Sequence, residues 1–158
     1  MYRMNSNLVV NGLLTRATDL AGNGLEILNA DLAYGLPKEN LVISRLSEYF
    51  NEKIDKAEYQ FSPFDASSET TKYEIKSRRN KYKAYPTTII PVDKCERIKG
   101  ERLVFVFNFT DGLYYIVYNK ETFAKYNIQE VEAVRSKGVR TLKPHFFIPI
   151  GDLTHINI

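Results

Sequence analysis

Asp65, Glu74 and Lys76 are the residues of this chain whose types and spacing equip it for chemistry. Ser62-Pro63-Phe64-Asp65 sets a carboxylate on a sharp bend, and Lys72-Tyr73-Glu74-Ile75-Lys76-Ser77 has the alternation of a β-strand. Side chains alternate between the faces of a strand, so Glu74 and Lys76 point one way and Ile75 the other. If the intervening turn, Ala66 to Thr71, folds Asp65 back beside Glu74, two carboxylates and an ammonium meet at one point. That set binds a hard divalent cation and places a water next to it.

Oxygen ligands suit magnesium or manganese, whereas imidazole and thiolate suit zinc. The two histidines, His145 and His155, are not at chelating spacing, and Cys95 is the single cysteine. A histidine-based metal site, a cysteine-type zinc site, a Ser-His-Asp triad and an internal disulfide are therefore unsupported. His145, between Pro144 and Phe146, reads as a packed or surface histidine. Around the carboxylates the charge is uneven. Lys72, Lys76, Arg78, Arg79, Lys81 and Lys83 face Glu74 alone, a local +5 in a chain of net +3, so the rest sums to −2. A run of this kind is either a solvated face or a grip on a polyanion. Tyr82 and Tyr85, interleaved with it, are placed either to stack on bases or to pack in the core.

Pro63-Phe64-Asp65, eight intervening residues, then Glu74-Ile75-Lys76 closing an apolar strand resembles the PD-(D/E)xK nuclease superfamily. One residue, Phe64, stands between the proline and the aspartate, and the basic stretch after Ile75 is longer than a compact family crossover. The resemblance implies a restriction-endonuclease-like α/β fold, a central mixed β-sheet flanked by helices, from about residue 37 to residue 120. It implies metal binding by Asp65 and Glu74 and the catalytic lysine role for Lys76. An acidic residue from the first helix, Glu39 or in its place Glu48, would be a fourth member. Lys94 would match a lysine found on the second helix. The ion implied is Mg2+, with Mn2+ as a substitute, and the reaction is hydrolysis of DNA phosphodiester bonds. Arg78, Arg79, Lys81, Lys83 and Lys94 are the expected nucleic-acid contacts. One site per chain implies a homodimer if duplex DNA is cut. A nucleic-acid-binding module that keeps the fold without cleaving, or a structural interaction domain, are the alternatives. Glu74 and Lys76 would then be a solvated charge pair on the face of the sheet.

The elements that must position these residues can be read in turn. A helix is expected from Pro37, with Ile43, Leu46, Phe50 and Ile54 as its apolar stripe. Glu39 lies in its first turn, where the helix dipole already accounts for a carboxylate. Glu58 to Phe61 alternates as a strand. Thr87 to Ile90 is a short buried strand between Pro86 and Pro91. Asp93 to Lys99 is expected as a helix capped by Asp93 and stopped by Gly100. Leu103 to Phe109 and Leu113 to Tyr118 flank Thr110-Asp111-Gly112 as a hairpin. Both strands are apolar on both faces, which places them in mid-sheet. Glu121 to Tyr126 and Ile128 to Val134 are expected to be helical, 135–138 a loop, and Phe146 to Ile150 a late strand.

With 158 residues, 44% hydrophobic and 26% charged, the composition is that of a globular protein with one core. Residues 1–35 are expected as an N-terminal arm and 36–158 as a single nuclease-like domain. No stretch approaches the ~20 apolar residues that span a bilayer. A secretory signal is not expected, and an intracellular setting, cytoplasmic or nucleoid-associated, fits one cysteine best.

Overall fold

The computed structural model describes residues 39–58, 62–134 and 138–157. The expectations for residues 1–35, for the start of the first helix at Pro37, for the strand at 59–61 and for the loop at 135–137 lie outside them. By its contacts the chain divides into Met1–Val42 and Ile43–Ile158. The second unit holds the sheets and the candidate site.

Helix α1 is described over 39–50. Ile43 and Leu46 are buried along it as their spacing predicts. Ile54 is buried too, but beyond the helix. Asn51 takes φ 53°, and the Glu52 N–H reaches back to the Ser47 carbonyl at 3.1 Å. This is a left-handed cap of the Schellman type, which asparagine tolerates better than most residues and which the apolar periodicity alone does not register.

The following elements are β1 (Asp55–Lys56), β2 (Ala66–Ser67), β3 (Thr71–Ser77), β4 (Thr87–Pro91), α2 (Val92–Cys95), β5 (Arg102–Phe109) and β6 (Gly112–Val117). After them come α3 (Lys120–Phe123), β7 (Asn127–Val134), β8 (Arg140–Pro149), a 3-10 turn (Ile150–Asp152) and β9 (Thr154–His155). Among the described residues these form a six-stranded sheet, in the order β9-β6-β5-β3-β2-β1, and a three-stranded sheet, β4-β8-β7. Strands β3 and β5 run parallel, with Glu74 opposite Phe105 and Lys76 opposite Phe107. The other pairings are antiparallel. The unit is mixed α/β, as expected.

Strand β5 shows why the sheet is covered on both faces. Leu103, Val104, Phe105, Val106 and Phe107 are all essentially inaccessible to solvent, so consecutive residues, which point to opposite faces, are buried alike. On one face Phe50 of α1 lies 5.9 Å from Tyr73 and 5.1 Å from Tyr115. The core cluster on Phe105 and Phe107 gathers Ile90, Cys95, Phe123, Phe146 and Ile148 from the elements of the smaller sheet and the two short helices.

Three local expectations are corrected. The hairpin forms, but Phe109 pairs with Gly112, leaving Thr110-Asp111 as the two turn residues. Gly112 is needed for close approach rather than for a positive φ: a Cβ there would sit 3.1 Å from Tyr114 Cε1. Residues 127–134 form strand β7 and not a helix. Eight-residue pairing with β8 outweighs the helical propensity of Gln, Glu and Ala. Finally, α2 starts at Val92 after Pro91 and stops at Cys95, and Asp93 caps nothing. Its carboxylate instead takes the Lys143 ammonium of β8 at 3.1 Å.

Candidate active site

The bend at Ser62–Asp65 returns the chain along β3. The Asp65 N–H donates to the Tyr73 carbonyl at 3.0 Å, and the Asp65 carbonyl accepts from Ala57 N–H at 2.9 Å. Its side chain then folds inward, and Oδ2 accepts the Ile75 N–H at 2.7 Å. Because Ile75 lies between Glu74 and Lys76, this one bond fixes the aspartate beside the Glu-x-Lys segment. A carboxylate accepting a main-chain N–H makes a short, charge-assisted bond of the stronger class.

Glu74 and Lys76 share one face of β3, the face that carries the cluster around Phe105 and Phe107. Glu74 is 3% exposed, and its Oε2 faces two ammonium groups, Lys76 Nζ at 3.0 Å and Lys94 Nζ at 3.3 Å. Lys94 comes from α2 and also donates to the Pro63 carbonyl at 2.9 Å. Glu74 Oε1 is buried with no hydrogen-bond partner. A buried carboxylate oxygen without a donor is expensive, and here it stands in the cluster that also contains Lys76 and, through Ile75, Asp65.

The structure thus brings Glu74, Lys76 and Lys94 together and holds the Asp65 carboxylate on the main chain of Ile75, between the first two. Lys94 belongs to this cluster rather than to an open charged surface, because α2 directs it back over the sheet. Glu39 belongs to the Met1–Val42 unit and the cluster to the Ile43–Ile158 unit, and Glu48 is an exposed residue of α1. Among the described residues no group of three or more His, Cys, Asp and Glu side chains is placed to hold a metal ion. The acidic donors of the cluster are the pair Asp65 and Glu74. Both are hard oxygen donors, the ligand class that magnesium and manganese take, and Oε2 of Glu74 already faces two ammonium groups.

The basic stretch after β3 is pinned to the fold. Arg78 donates to the Ile89 carbonyl at 2.9 Å and lies 5.7 Å from the centroid of Phe107. Burial holds its guanidinium below the usual arginine value. Tyr82 stacks on Tyr114 with centroids 3.9 Å apart, its N–H bonds Asp111 at 2.8 Å, and its hydroxyl donates to the Ile150 carbonyl at 2.7 Å. Of the two tyrosines interleaved with the basic residues, Tyr82 is therefore structural, while Tyr85 is 61% exposed. Arg79, Lys81 and Lys83 are exposed.

Other chemistries have little footing. His145 is buried and its Nδ1 donates to the Lys143 carbonyl at 2.8 Å. Burial pushes the Cys95 thiol up to about 12, so thiolate chemistry is absent near neutral pH. Among the described residues no helix is long and apolar enough to cross a membrane. No protein-family model, curated protein or solved structure matches this chain.

Proposed function

We propose that this protein is a metal-dependent endonuclease of the PD-(D/E)xK type, hydrolysing DNA phosphodiester bonds at Asp65, Glu74 and Lys76. The observation that carries the proposal is the bond from the Ile75 N–H to Asp65 Oδ2. It ties Asp65 to the main chain of the Glu-x-Lys segment, and Glu74 Oε1 in that segment is buried without a hydrogen-bond partner.

Asp65 and Glu74 would hold a magnesium ion, with manganese as a substitute; such an ion, when bound, neutralises charge on a phosphate and lowers the pKa of a bound water. The protein's own residues do the rest. Asp65 is held in orientation by the strand backbone. Lys76, partly exposed beside Glu74, orients a water and donates to a phosphate oxygen, which stabilises charge developing at phosphorus. Lys94, 3.3 Å from the same Oε2 as Lys76, compensates the buried Glu74 carboxylate. Phosphoryl transfer relies on positioning and electrostatics, so this short set of groups suffices.

The test is plasmid nicking with and without magnesium. Cleavage is expected in the parent and lost in Asp65→Ala and Lys76→Ala, with folding and DNA binding retained. Undiminished cleavage in either variant overturns the assignment. A domain that binds nucleic acid without cutting it is the second reading, favoured by the two ammonium groups already on Glu74 Oε2. Salt-sensitive DNA binding without nicking in magnesium or manganese selects it. A homodimer is expected if duplex DNA is cut on both strands.

A further inference from the structure

Arg78 continues the row Lys72, Glu74, Lys76 on one face of the extended chain, its N–H still on the ladder to Asn108. It stands two residues past Lys76, about 7 Å along the chain. A guanidinium carries five N–H donors. Among the described residues its hydrogen-bond acceptor is the Ile89 carbonyl, and no carboxylate pairs with it. A cation drawn largely out of water without a counter-charge is unfavourable unless an anion supplies it.

Arg78 also lines a groove of about 350 Å3 whose wall includes Tyr82, Tyr85, Pro86 and Phe109. Of these, Tyr85 is the exposed aromatic, on a segment with Lys81 and Lys83. The segment is preorganised by the Tyr82 stack on Tyr114 and by the Tyr82 bonds to Asp111 and Ile150. An aromatic face beside an unneutralised cation is the composition of a single-strand nucleic-acid site, where bases stack and phosphates are gripped. A base inside a duplex is stacked on both sides and leaves no face for the tyrosine.

We infer that Arg78 and Tyr85 form a subsite for one unpaired nucleotide, its phosphate on Arg78 and its base on Tyr85, next to the Glu74–Lys76 site. This rests on the nuclease reading for its biological sense and makes the substrate single-stranded or frayed rather than intact duplex DNA.

The test is binding of a fluorescent oligothymidylate and of a blunt duplex of equal length, in EDTA, to the Asp65→Ala protein. The single strand is expected to bind at least tenfold more tightly than the duplex. Tyr85→Ala should weaken single-strand binding about tenfold, with Tyr85→Phe near the parent. Tyr85 is exposed, so this variant does not put folding at risk; Arg78→Gln, checked by circular dichroism, should reduce the salt dependence of binding. Single-strand affinity within twofold of the parent in Tyr85→Ala, or equal binding of the duplex, overturns the subsite. If nicking is absent but Tyr85-dependent binding is found, the subsite stands and the catalytic reading falls. If nicking depends on Asp65 while Tyr85→Ala binds normally, the subsite alone falls.

Discussion

Removing the lysines that face Glu74 tests whether that carboxylate is a buried charge held in place by its neighbours. Glu74 is 3% exposed, while the Lys76 and Lys94 side chains are 30% and 24% exposed. Loss of one lysine leaves the other on the same Oε2 atom. Lys94→Met alone should therefore cost about 1.5–3 kcal/mol, the range for one hydrogen bond to a charged group. Loss of both leaves a carboxylate in the interior with no cation, for which the expected cost is about 3–5 kcal/mol. Methionine keeps the apolar stem and volume, so the difference reports charge rather than a cavity. Adding Glu74→Gln to the double variant removes the stranded charge and should recover much of the loss. The assay is urea denaturation at neutral pH in EDTA, reading the midpoint with the slope unchanged. A double variant within about 0.5 kcal/mol of the parent, below the usual cost of a broken buried pair, would refute the cluster's electrostatics. Magnesium added to the parent should raise the midpoint by mass action, by about 2.7 kcal/mol at a hundredfold excess over Kd. That shift should vanish in Asp65→Ala.

Burial, followed by the charge of Glu52, raises Tyr73 to about 12 from an ordinary value near 10. The folded protein thus holds a proton that the unfolded chain releases, so stability falls as pH rises from about 10 to about 12. Tyr73→Phe should flatten that fall. It should also be close to neutral at pH 7, because the buried hydroxyl it deletes has no hydrogen-bond partner; a loss above about 2 kcal/mol in chemical denaturation, well beyond a normal net hydrogen bond, would count against this. Gly112→Ala places a Cβ at 3.1 Å from Tyr114 Cε1 and 3.4 Å from His155 Nε2. It should lower stability by about 1–3 kcal/mol and disturb the Tyr114 stack, measurable as a lower thermal midpoint with altered near-ultraviolet circular dichroism.

The sequence by itself determined the parts whose signals are local. The stripe Ile43 and Leu46 implied a buried helix face, the doubly apolar run Leu103 to Phe107 implied a central strand, and alternation put Glu74 and Lys76 on one side of β3. It also presented Asp65 on a bend after Pro63, with the residue types of an oxygen-liganded site. Tertiary structure decided what depends on residues distant in sequence. Strand β7 carries helix-forming residues, and only its pairing with Arg140–Pro149 makes it extended. Lys94, offered in the sequence only by its place on the expected second helix, is brought by α2 to 3.3 Å from Glu74 Oε2. The basic run reads in sequence as one uniform stretch. In the folded chain Arg78 is drawn over Phe107, Tyr82 is locked under Tyr114, and Tyr85 is left exposed. Charge and residue type are properties of the chain, but burial depends on which distant strands close over each side chain.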